Sequence, residues 1–166
     1  MTIEYIPDIG FKLGSNNFNW GESREEVRQK LKNRHEEDDR VIENTGSDKE
    51  DTNQNIQQRR DIYEDIENGT NYFFLSFDND NCLNELEVHW GVNVKINDVE
   101  MEFEKDITIY LKQIKSSGYE FEVLEEGNYL CKKLKMTIAD SQAMGGKGND
   151  LSYFYSSNNI EHLIEN

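Results

Sequence analysis

The sequence predicts an α+β protein: a mostly antiparallel, twisted sheet of about five to seven strands with two helices packed on one face. Three observations predict it. Many segments alternate apolar and polar residues, which is the period of a strand. Only two runs place apolar residues at helical spacing. Turn-forming pairs divide the alternating segments, and no internal repeat is visible. The 166 residues are the size of one domain, so 1–166 reads as a single unit. Apolar residues make up 35% and charged ones 31%, which implies at least one long polar loop. Aromatics at 11% still supply enough bulk for a core.

Taken in order, IEYI and FKL are short strands punctuated by Pro7, Gly10 and Gly14. In NWGESREEVRQKL, Ser23 with Glu26 forms a capping box, Val27 and Leu31 share a face, and Trp20 stands where it could brace the entry. A helix over about Arg24 to Lys32 follows. Residues 34–60 hold few apolar side chains and no period, so this acidic stretch reads as a mobile, solvated loop. In DIYEDIENG, Ile62, Tyr63 and Ile66 precede an Asn68–Gly69 turn.

NYFFLSF and CLNELEVHW form a hairpin across DNDN. In the second strand Leu86, Val88 and Trp90 belong to the buried face, and Glu85, Glu87 and His89 to the wet one. VNVKIN and VEMEF both alternate and are separated by the turn-prone pair Asn97–Asp98. In EKDITIYLKQIKSSGY, Ile107, Tyr110, Leu111 and Ile114 give a second helix, stopped by Gly118. Three strands close the chain: YEFEVL, NYLCKKLKMTIA and LSYFYS. Gly127–Asn128 separates the first two, and the flexible loop DSQAMGGKGND separates the last two.

The net charge of −16, from 34 acids and 18 bases, makes nucleic acid and anionic membrane surfaces poor partners, since each would be repelled. A cationic partner is the natural complement; solubility alone is the simpler explanation. The two cysteines, Cys82 and Cys131, are too few for a disulfide-stapled secreted domain. The N-terminus has no signal-peptide pattern, and no apolar run is long enough to span a bilayer. A cytoplasmic protein with reduced thiols is expected.

The motifs that carry chemistry elsewhere fail here. FDNDNCLNELEVHW starts like a calcium loop, but Cys82, Leu83 and His89 occupy positions that need an oxygen ligand, glycine and glutamate. Cys82, His89, Cys131, His35 and His162 lack zinc spacing. In AMGGKGND the residue after Lys147 is Gly148, and a strand rather than a helix follows, so it is a hairpin loop and not a phosphate cradle. Nothing marks a nucleophile. No metal, cofactor or catalytic residue is expected, although scattered carboxylates could still pair in space.

Two acidic segments stand out. On an extended VEMEF, Glu100, Glu102 and Glu104 share one face and Val99, Met101 and Phe103 the other, with Asp98 adjoining. YEFEVLEEGNY repeats the device: Glu120 and Glu122 lie opposite Tyr119, Phe121 and Val123, and Glu125 and Glu126 extend it. Placed side by side, the two would form a dense carboxylate surface whose repulsion a basic partner would offset. The simpler reading is the wet face of an amphipathic sheet.

The layout resembles the small immunity proteins of bacterial toxin–immunity systems, including contact-dependent growth inhibition. In several such families a G-x-S-x-E-E-V helix start, here Gly21, Ser23, Glu25, Glu26 and Val27, precedes a strand of the type F-D-x-x-x-x-L-x-x-I-E. That strand is here Phe77, Asp78, Leu83, Leu86 and Glu87, with Leu86 in the isoleucine position. The acidic insertion 34–60 is outside the shared pattern. The resemblance implies a non-enzymatic binder that blocks a cognate toxin domain, often a nuclease, in the producing cell. On that reading Asp98, Glu100, Glu102, Glu104, Glu120, Glu122, Glu125 and Glu126 meet a basic toxin, and Tyr119, Tyr129, Tyr153 or Tyr155 anchor it. A general acidic interaction module and an enzyme with dispersed carboxylates are the alternatives.

Overall fold

A computed structural model describes residues 1–42, 56–64, 66 and 71–164. It is α+β, with mostly antiparallel sheets and two α-helices among the described residues. The described strands divide between two large sheets and a two-stranded ribbon rather than lying in one sheet. The five-stranded sheet is built from β1 (Thr2–Ile6), β2 (Gly10–Leu13), β3 (Asn16–Asn19), β10 (Asn93–Ile96) and β11 (Val99–Met101), in the order β11-β10-β1-β2-β3. β1 and β10 run parallel, the one parallel pair among the described strands.

The eight-stranded sheet contains β4 (Glu36–Glu37), β7 (Arg60–Glu64), β8 (Tyr72–Phe77), β9 (Leu83–Trp90), β12 (Glu122–Glu125), β13 (Asn128–Cys131), β14 (Met136–Asp140) and β15 (Leu151–Ser157). Its order is β12-β13-β14-β15-β9-β8-β7-β4. β5 (Arg40–Ile42) and β6 (Ile56–Gln58) form a separate ribbon.

One core joins the two sheets. Tyr5 of β1 meets Phe154 of β15 edge to face at 5.7 Å and donates from its hydroxyl to the Leu134 carbonyl at 2.7 Å. Ile3, Phe11, Phe18, Phe73, Leu75, Leu86 and Val94 fill the same interior. The buried phenol is pushed well above its usual pKa, chiefly by desolvation, so it stays a neutral donor.

Helix α1 (Arg24–Leu31) follows its sequence signals. Ser23 Oγ accepts from the Glu26 N–H, the Glu26 carboxylate accepts from the Ser23 N–H at 3.1 Å, and Lys32 caps the end in a left-handed conformation. Helix α2 (Ile107–Ser116) buries Ile107, Tyr110, Leu111 and Ile114, and Asp106 accepts from the Thr108 N–H as its N-cap. Gly118, with φ +89, ends it as read from the sequence.

Several expectations are corrected. NYLCKKLKMTIA is not one strand: a 3₁₀ turn at Lys132–Leu134 and left-handed Lys135 fold it into β13 and β14. The segment after Gly14 forms a further strand, β3, that the sequence pattern did not place. The 34–60 stretch is not simply a solvated loop, because β4, β5 and β6 lie within it. Its residues 43–55, like the Asn68–Gly69 turn, are outside the described residues.

Candidate protein-binding face

Two constellations distinguish this fold, and both involve carboxylates. The first explains what part of the acidic run does. Asp61 lies on the core-facing side of β7 and is fully buried. It accepts from Arg24 Nε at 2.9 Å and Nη2 at 2.6 Å, and from Arg28 Nε and Nη2 at 2.7 Å each. Arg24 also grips Asp39 with both terminal nitrogens, at 2.9 and 2.8 Å. Arg28 pairs with Glu37, and Arg60 with Asp38. Burial alone would raise the Asp61 pKa; the hydrogen bonds from Arg28 and Arg24 outweigh it and hold it below the usual range. Glu37, Asp38 and Asp39 are therefore bound to arginines of α1 and β7. This centre fastens the insertion to the sheet, and its charges are spent internally.

The second constellation is the outer face of the eight-stranded sheet. Its register aligns one row across all eight strands: Glu36, Ile62, Phe74, Glu87, Tyr155, Thr137, Leu130 and Glu122. The adjoining row sets Glu64 beside Tyr72 and Tyr72 beside Trp90. A bulge falls between these rows, since Tyr72 pairs with Trp90 while Phe73 pairs with Val88. The bulge changes the phase of β9, so Trp90 joins His89 on the outer face instead of following Leu86 and Val88 inward. Trp90 is accordingly 51% exposed, against its expected place in the core.

An aromatic row results. Trp90 stacks on Tyr72 at 4.2 Å, and Tyr72 meets Phe74 at 4.8 Å. Phe74 meets His89 at 4.6 Å, and His89 meets Tyr153 at 5.2 Å. The Arg60 guanidinium lies 4.6 Å from the Phe74 ring centre. At the row's inner end the Tyr153 hydroxyl donates to Glu87 Oε2 at 3.0 Å, and Arg60 Nη1 lies 3.6 Å from Glu87 Oε1. His89 Nε2, at 3.8 Å from Glu87 Oε2, is beyond hydrogen-bond reach.

Burial alone would raise Glu87, but His89, Tyr153 and Arg60 hold it below the usual carboxylate range. Glu85, two residues away on the same face, goes the other way: burial pushes it up, and the Tyr155 and Ser76 hydroxyls offset only part of this. The Tyr155 end is covered by the C-terminal turn, where His162 Nε2 lies 3.1 Å from the Tyr155 hydroxyl.

The two acidic segments singled out in the sequence do not form one surface. β11 is an edge of the five-stranded sheet and β12 an edge of the eight-stranded one. Glu100 accepts from Thr2 Oγ1 at 3.1 Å and Asn93 Nδ2 at 3.2 Å, and stands opposite Lys95. The strand ends at Met101, so Glu102 and Glu104 leave it through a turn in which Glu104 is left-handed. Asp98 is exposed in the preceding turn.

Glu120 precedes β12. Glu122 pairs with Lys132 at 2.7 Å, Glu125 accepts from Asn128 at 3.4 Å, and Glu126 is exposed in the turn. Val123, expected inward, is 66% exposed, as this edge strand is along its whole length. Of the tyrosines, Tyr119 and Tyr129 pack against the core, while Tyr153 and Tyr155 lie on the candidate face, Tyr155 buried under the C-terminal turn and Tyr153 partly exposed. Of the acids, Glu122 shares that face.

Asp78 does not open a cation loop; its Oδ1 accepts from the Asp80 and Cys82 N–H groups at 2.9 Å each and closes the hairpin turn. Both cysteines are free. Among the described residues no group of three or more His, Cys, Asp or Glu side chains is arranged to hold a metal, and no helix is long and apolar enough to cross a membrane.

In comparisons with known proteins, no family model, no curated protein and no solved structure matches the chain at a significant level.

Proposed function

We propose that this chain is an immunity-type inhibitor, a non-enzymatic binder that neutralises a cognate basic toxin domain, of nuclease type, in the cytoplasm of the producing cell. The observation that carries this reading is the charge balance. The net charge is −16, and Arg24, Arg28, Arg40 and Arg60 are engaged by internal carboxylates. The excess negative charge therefore falls on the remaining surface, where it would steer a positively charged groove into encounter.

The test is coexpression with the basic toxin domain encoded beside it. The expected result is a tight complex, weakened by salt, that abolishes the toxin's activity. A partner that is neutral or acidic where it docks, or a toxin left fully active in a stoichiometric mixture, would refute the reading.

A second reading has one observation in its favour. Glu85 and Glu87 line one surface pocket with Arg60 and Ser76 and are displaced in opposite directions, the pattern of a general acid beside an ionised carboxylate. Hydrolysis of aryl glycosides by the purified chain, lost in Glu87→Gln, would decide for it.

A further inference from the structure

The outer face of the large sheet carries a feature that an acidic, soluble chain does not require. Trp90 is stacked on Tyr72 with 13° between the ring planes, yet it remains half exposed. Ordered, rigid aromatic surface left open to water is what interface anchors look like before a partner arrives. Carboxylates border it. Glu64 stands in the same cross-strand row, and its charge acts on the Tyr72 phenol. Glu36 begins the next row. Both are exposed, and among the described residues neither forms an ion pair with a lysine or arginine, unlike Glu87 with Arg60.

We propose that the Tyr72–Trp90 platform, flanked by Glu36 and Glu64, is a docking surface for an arginine-bearing segment of a basic protein. This rests on the binding role proposed above and names the face that serves it. Charge complementarity selects a cationic occupant. A guanidinium suits the site better than an ammonium, because its flat face can stack on the rings while its N–H fork reaches a carboxylate at the edge. Glu36 and Glu64 line one cleft that Arg34 shares, which disfavours a small free cation seated among them and favours a segment that anchors on the open rings.

The test uses a short poly-arginine peptide, with poly-lysine of equal length and spermidine as comparators. Binding is followed by NMR on the full chain. The expected result is movement of the Trp90 indole and His89 ring signals while the Trp20 indole stays still. Poly-arginine should bind more tightly than either comparator. Trp90→Ala and Glu64→Gln should each weaken it about tenfold, the loss of one anchor contact. Both sites are exposed, and thermal melts of the variants check their folding. Shifts centred on Glu100 or Glu120, unchanged affinity in both variants, or spermidine binding as tightly as poly-arginine would overturn the proposal. Full neutralisation of a toxin by both variants would also overturn it while sparing the inhibitor role. Peptide binding at the platform by a chain that neutralises no toxin would uphold the platform and remove the role.

Discussion

Asp61 and Glu87 show how the environment of a single carboxylate decides its work. Asp61 sits at 0% exposure beside Arg24, which is itself 7% exposed. Asp61→Asn keeps the shape but leaves two buried or half-buried guanidinium groups with less charge to meet. Breaking such a pair costs about 3–5 kcal/mol, and urea titration of the variant should show a loss of that order. The pH dependence has a definite sign. Because the folded Asp61 pKa is depressed, its contribution is fully present above the unfolded value of about 3.9 and is lost as pH falls through the folded value. Acid titration should therefore destabilise the native chain below about pH 4 more steeply than Asp61→Asn. None of this was legible in the sequence. Asp61 reads there as one more acid, and only the pairing of β7 with β8 turns it toward the helix that carries both arginines.

The elements follow local rules where local rules suffice. The Ser23–Glu26 box, the Gly118 stop and the turn at Asn97, with φ +53, lie where the residues put them. Edges and bulges do not follow such rules. Whether VEMEF continues to Phe103 depends on what lies beyond Met101, and the phase of Trp90 depends on a bulge that the alternating pattern of β9 cannot reveal. Gly10 is an element-scale requirement of another kind. With φ +143, it lets β3 approach so closely that a Cβ would overlap the Phe18 carbonyl oxygen and lie 3.0 Å from the Asn19 Cα. Gly10→Ala should cost about 2 kcal/mol or more, because both the conformation and the clash are in the backbone. Thermal melts would show it. Gly14→Ala meets no neighbouring atom and should cost less, since only the left-handed conformation is penalised.

For the whole molecule the governing quantity is a net charge of −16 on 166 residues. Self-repulsion opposes folding, and salt screens it over a Debye length of about 10 Å at 0.1 M. Two effects of opposite sign follow. The thermal midpoint of the free chain should rise with added sodium chloride, while its affinity for a basic partner should fall. Calorimetry on the free protein and titration of the complex over the same salt series would measure both. If added salt left the midpoint unchanged or lowered it, repulsion would not be what limits stability. The same charge is divided by the fold, with Glu37, Asp38 and Asp39 paired to arginines and Glu36 and Glu64 left exposed without such a pair among the described residues.

The sequence by itself determined the α+β class, the two helices with their caps, the central hairpin and the net charge of −16. These depend on period, turn chemistry and composition, which act over a few residues or over the whole sum. The tertiary structure decided the rest: two sheets instead of one, the parallel pairing of β1 with β10, the separation of the two acidic edges and the aromatic platform between Glu64 and Glu87. Those features arise from contacts between residues far apart in the chain, and no local pattern encodes which strand will be the neighbour.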